Sequence, residues 1–218
     1  MAKVIFNSKS KSILGDLSGK LGQFVFGSWK GTPYVRSMPE KVANPRTAAQ
    51  LAQRAKFAEI LKFLKPLTVF LRVGFKSKTA NMTAFNAAWS YNYKHTLTGT
   101  YPDYIIDYSK ALVSLGKLPG ALNPTITSTI PGEIEFRWQD NSIDYDASGN
   151  DKVMLVVYNP EKQEAVTVIG GHTRKSGSQA ITLPSTFMGN EVQCYIGFQN
   201  AGETVVSDSR FVGSLMVF

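Results

Sequence analysis

Few side chains in this sequence have the types and spacing that reactions need. Histidine occurs twice, at His95 and His172, and the two fall in different predicted regions. The single cysteine, Cys194, sits on the apolar side of a predicted strand. Zinc sites take closely spaced Cys and His pairs, which this set does not offer. A cysteine nucleophile needs a base and an accessible thiolate, whereas Cys194 reads as a small core residue. No G-x-S-x-G elbow presents a serine. Asp140, Asp144, Asp146 and Asp151 cluster in "DNSIDYDASGND". Such a loop can offer oxygen ligands to calcium, but it departs from the EF-hand spacing and reads as a polar loop between strands. The glycine-rich "GDLSGKLG" lacks the P-loop spacing G-x-x-x-x-G-K-[ST], so its glycines are read as turn residues. The expectation is a protein with no catalytic set, no metal site and no cofactor.

Contact chemistry is better represented. In "NPRTAAQLAQR", residues 44–54, a helical wheel places Arg46, Gln50 and Gln53 on one side, with Phe57, Ile60, Leu61 and Leu64 continuing along it. Arg54 adds a second guanidinium. Arginine carries a planar fork of donors, and glutamine both donates and accepts. The stripe is therefore either a contact site for a partner or for the hairpin, or a plain solvated face. A second group, Trp29, Lys30, Tyr34 and Arg36, lies on a predicted hairpin. These eight residues form the candidate partner-binding set.

Elements to position them can be read from the pattern. "GQFVFGSWKGTPYVRSMP" has apolar runs on either side of a glycine-bounded turn, which predicts a β-hairpin around Gly27 to Gly31. A helix is predicted to start at Asn44, a favoured N-cap. Pro45 would take its first position, where a missing N–H costs nothing, and Pro66 would end it after Leu64. A second helix is predicted over about residues 82–95, with Phe85, Ala88, Trp89 and Asn92 on one face. "LTVFLRVGF" between them fits strand or helix. From about residue 104 the period becomes two. "GEIEFRW" alternates Ile134, Phe136 and Trp138 with polar residues, and "EVQCYIGFQ" aligns Val192, Cys194, Ile196 and Phe198. About seven such strands, parted by Gly, Pro, Asn and Asp turns, predict an antiparallel β-sandwich of the immunoglobulin or fibronectin type III kind. The Cys–Trp–Cys signature of antibody domains is absent, which favours the fibronectin-like variant. The fold class is thus α+β, mainly β. A basic hairpin-and-helix region, 1–118, precedes a sandwich, 119–218, with "LGKLPGALNPT" as the linker.

Composition agrees with a folded protein: 43% hydrophobic and 18% charged residues. One cysteine permits no internal disulfide. No run approaches the ~18 apolar residues of a membrane span, and "MAKVIFNSKSKS" lacks the apolar core of a signal peptide. Synthesis in the cytoplasm is expected, with incorporation into a virion-like or extracellular assembly left open. The net charge of +8 is unevenly spread: residues 1–90 hold 15 basic and 3 acidic residues (+12), and residues 91–218 hold 9 and 13 (−4). That asymmetry suits a polyanion partner, or subunits packing basic end to acidic end.

The stretch from "GKLGQFVFGSWKGTPYVRSMPEKVANPRTAAQLAQRAKF" through "TAFNAAWSYNYKHTLTGTYPDYIIDYSKALVSLGKLPGA" to "LVVYNP" resembles an uncharacterised family abundant in Bacteroidota. Its pattern N-P-R-T-x-A-Q-x-x-Q-R is met by Asn44, Pro45, Arg46, Thr47, Ala49, Gln50, Gln53 and Arg54. The pattern and a later aromatic A-W-x-x-Y segment, matched more loosely by Ala88, Trp89 and Asn92, are also similar to proteins from the structural gene regions of tailed phages. The resemblance implies architecture and phage ancestry, and no activity. The resulting expectation is a non-enzymatic structural or assembly protein that contacts copies of itself or neighbouring proteins. One alternative is nucleic-acid binding through Lys20, Lys30, Arg36, Lys41, Arg46, Arg54, Lys56 and Lys62, with Trp29 and Tyr34 stacking on bases. Another is a carbohydrate-binding or adhesin module using the sandwich loops.

Overall fold

The computed structural model describes residues 3–5, 16–29, 32–40, 46–80 and 82–218. Its contacts divide the chain into two units, Met1–Thr47 and Ala48–Phe218. The boundary read from sequence, 118/119, falls inside the second unit.

The first unit is an antiparallel sheet in the order β1 (Lys3–Ile5), β2 (Asp16–Leu21), β3 (Phe24–Trp29) and β4 (Thr32–Ser37). The expected hairpin is β3–β4, with Phe24 opposite Ser37 and Trp29 opposite Thr32. "GDLSGKLG" is not only a turn, as expected: most of it is β2, and the turn itself is the short link to β3, where Gly22 has φ +56. Glycine enters that region without the Cβ clash other residues meet. None of residues 18–29 and 32–40 of this unit is buried.

The second unit begins with three helices, α1 (Ala48–Leu64), α2 (Thr68–Gly74) and α3 (Ala84–His95). The segment that fitted strand or helix is α2. Helix α1 starts later than expected. Asn44 and Pro45 lie outside the described residues, and Arg46 and Thr47 are not helical. Thr47 is itself a capping residue type, and Thr47-x-x-Gln50 has the spacing of a capping box. Thr47 directly precedes the observed start at Ala48, which leaves Arg46 off the helix. At α3 the cap is explicit: the Thr83 hydroxyl accepts from the Asn86 backbone N–H at 3.1 Å.

A short hairpin, β5 (Leu97–Thr100) with β6 (Asp103–Ile106), leads into two larger antiparallel sheets. One contains β7 (Leu122–Thr127), β8 (Glu133–Gln139) and β11 (Ser178–Thr182), in the order β11-β8-β7. The other contains β9 (Lys152–Asn159), β10 (Glu164–Thr173), β12 (Glu191–Gln199) and β13 (Arg210–Met216), in the order β10-β9-β12-β13. The predicted alternation is present: Ile134, Phe136 and Trp138 are buried with Val192, Cys194, Ile196 and Phe198 between these sheets.

The four-stranded sheet is covered on both faces. On β9, Val153, Leu155 and Val157 join the core between the sheets, while Met154, Val156 and Tyr158 join a second core with Ile60, Phe63 and Leu64 of α1 and Phe70 and Leu71 of α2. The period of two sends alternate side chains to opposite faces. An apolar residue at nearly every position therefore signals layers on both sides, as in strands of fully buried sheets.

The supposed linker is also packed. Leu118 and Ala121 are buried, Leu115 N–H donates to Gly74 O at 2.9 Å, and Leu118 N–H to Val206 O at 3.1 Å. A Cβ on Gly116 would stand 1.8 Å from Val206 O. Its glycine serves close backbone approach, a use that composition alone does not separate from flexibility.

Candidate functional site

Cys194 is buried, and His95 and His172 are exposed. Burial pushes the Cys194 thiol up to about 12, so its thiolate is not formed near neutrality. His172 Nδ1 lies 2.9 Å from the Ser178 carbonyl. His95 packs on Tyr91, with ring centroids 4.5 Å apart. Among the described residues, no group of three or more His, Cys, Asp and Glu side chains could hold a metal ion.

In the acidic loop, Asp140 and Asp144 accept hydrogen bonds from Ser142 and Asn141 within the loop. Asp151 is withdrawn into an ion pair with Arg174, whose Nε donates at 3.1 Å; the two side chains are 0% and 2% exposed. Sequence reasoning missed Arg174, and no local signal marks it: in "HTRKSG" it stands beside the equally basic Lys175. Arg174 also donates to the carbonyls of Pro119 (2.8 Å) and Gly120 (3.2 Å) and to Asn141 Oδ1 (2.6 Å). Its guanidinium lies 3.9 Å from the Phe198 ring centroid. Burial pulls its pKa down, opposed by Asp151. A desolvated charge of this kind is tolerable only when its donors are occupied. Arg174 thus fastens the entry to β7 onto the loops at one end of the sheets, and it reads as structural.

The predicted contact residues fall on two elements. Residues opposite each other in an antiparallel pair share a face. Lys20 faces Val25, Val25 faces Arg36, Gly27 faces Tyr34, and Trp29 faces Thr32. Trp29, Tyr34 and Arg36 are therefore brought to one face of the first unit's sheet, together with Lys20. Trp29 and Tyr34 are 54% and 47% exposed. The Tyr34 ring lies over Gly27, where a Cβ would come within 2.7 Å of it. Lys30 lies outside the described residues.

Arg46 is exposed in the first unit, while Gln50, Gln53 and Arg54 are exposed on α1 of the second. Gln53 Nε2 donates to the Tyr93 hydroxyl at 2.6 Å. Below it runs an aromatic row, with Phe57 4.9 Å and Tyr93 4.8 Å from Trp89 between ring centroids. Gln53 therefore joins α1 to α3, a role the helical wheel did not reveal. Of the proposed phosphate contacts, Lys56 sits 5.2 Å from the Tyr104 ring centroid and Lys62 pairs with Glu59 at 2.8 Å. Lys41 lies outside the described residues.

The fold is that of a mostly β protein in two units, with antiparallel sheets and helices. The chain belongs to a family of unknown function, DUF6266, whose model matches residues 16–213. No curated protein matches it. No helix among the described residues is long and apolar enough to cross a membrane.

Proposed function

We propose that the protein is a non-enzymatic structural or assembly protein, phage-derived or phage-like, whose first unit docks onto copies of itself or neighbouring structural proteins. One observation carries this reading: Lys20, Trp29, Tyr34 and Arg36 share an exposed face on a sheet in which none of residues 18–29 and 32–37 is buried. Tyrosine, tryptophan and arginine are the residues interfaces favour. The face is cationic, which suits an acidic partner surface and would set register and association rate more than affinity. The phage ancestry rests on the resemblance of the N-P-R-T-x-A-Q-x-x-Q-R pattern to proteins of tailed-phage structural regions. The strand orders β11-β8-β7 and β10-β9-β12-β13 support a fibronectin type III-like sandwich as the mount. Size-exclusion light scattering of the full chain tests the proposal. Species larger than a monomer are expected, weakened by K20E/R36E; a monomer at high concentration, in both low and high salt, defeats it.

A second reading, nucleic-acid binding, draws on the same face, where Trp29 and Tyr34 would stack on bases and Lys20 and Arg36 meet phosphates. A gel shift that fades steeply with rising salt is then expected; no shift at low salt removes this reading.

A further inference from the structure

The opposite face of the same sheet has a different character. Gly19 and Leu21 of β2 face Phe26 and Phe24 of β3, and these face Val35 and Ser37 of β4; Ser28 faces Pro33. This face carries no charged residue at any of these positions, and Leu21, Phe24 and Val35 are 61%, 54% and 50% exposed. A contiguous exposed apolar patch on a soluble chain marks a contact surface. A unit of this length is also in the size range where a lone chain is marginal, and none of its residues 18–29 and 32–40 is buried.

We infer that this apolar face pairs with the same face of a second copy of the chain. The distribution of charge selects the occupant. A two-fold contact sets each surface against itself, residue i against j and j against i. On the other face that would oppose Lys20 and Arg36 to their own copies, like charge against like. On the Leu21–Phe24–Val35 face nothing repels, and aromatic and branched side chains can interdigitate as the inner faces of stacked sheets do. The pairing rests on the assembly reading above and adds to it a specific partner and geometry: self-pairing on one face leaves the cationic face free for an acidic neighbour. Each subunit then has two different contacts, the minimum for growth beyond a dimer.

Sedimentation equilibrium of the full chain in high salt is the test, because screening removes the cationic contact and leaves the apolar one. A dimer is expected. Phe24→Ser with Val35→Ser should raise its dissociation constant by at least tenfold, and Phe24→Lys, which sets like charges across the two-fold, should do so alone. K20E/R36E should leave it unchanged. The thermal transition of the second unit, read by circular dichroism, controls for folding. A wild-type monomer in high salt, or a dimer indifferent to both Phe24 variants, overturns the pairing. Assembly seen only at low salt and abolished by K20E/R36E would overturn it while sustaining the assembly reading, and a monomer under every condition would end both.

Discussion

The two sheets at the extremes of this chain differ in what lies against them. In the second unit, β9 is buried along nearly its whole length, with helices on one face and the β7–β8–β11 sheet on the other. In the first unit, β4 is exposed at all six positions. Both lie in antiparallel sheets, but β9 reads KVMLVVYN, apolar on both faces, and β4 reads TPYVRS, with polar residues and a proline. The difference is the presence of covering layers. The buried cores lie where layers meet, around β9.

This contrast can be broken most decisively at Arg174. Arg174→Met strands the buried Asp151 carboxylate and leaves the Pro119 and Gly120 carbonyls unpaired. A loss of about 3–5 kcal/mol is expected from denaturant unfolding. A loss under 1 kcal/mol would mean that the ends of the sheets are held by something else. Neighbouring truncations on β9 sharpen the comparison next. Met154→Ala faces the helices and Leu155→Ala faces the opposite sheet. Each should cost about 2–5 kcal/mol, with one cooperative transition in both variants. A cheap Met154→Ala would show that the helical layer is not core.

Alkali should loosen the same region. Cys194 is raised to about 12 from 9.0, and Tyr108 to about 12 from 10.0, both chiefly by burial. Tyr158 and Tyr195 are raised for the same reason. The unfolded chain therefore loses these protons first. Stability is fully present below about pH 9 and falls as pH rises toward 12, at a slope set by the proton difference. A melting temperature constant from pH 8 to about 11 would contradict this. The smallest effect belongs to the first unit: Phe24→Ser, at a position 54% exposed, should change the unfolding free energy of an isolated subunit by under about 0.5 kcal/mol.

Much of the architecture was legible in the residues. Ile134, Phe136 and Trp138 announce a strand with one inward face, and Phe24–Phe26 and Tyr34–Val35 around glycines announce a hairpin, because period and turn chemistry are local. What was not legible is long-range. Arg174 reads as one more surface cation until Asp151, 23 positions away, is folded against it. Gln53 reads as part of a polar stripe until Tyr93 arrives from α3. "LGKLPGALNPT" has the composition of a linker because close packing and flexibility both use glycine. The continuous apolar run "KVMLVVYN" did hold the needed information: its second apolar face required a layer, and the helices supply it. At the contact set, aromatic and basic types singled out Trp29, Tyr34 and Arg36, but only the strand register shows that they share a face with Lys20 and that the reverse side is uncharged.

Strand β9 is sealed from solvent on both sides and hydrogen-bonded to β10 and β12 along both edges. Its amide protons can reach deuterated water only when the helical layer and the opposing sheet come away together. The interior of β9 therefore sets the slowest isotope-exchange clock in the molecule, and its rate reports the opening of the whole second unit.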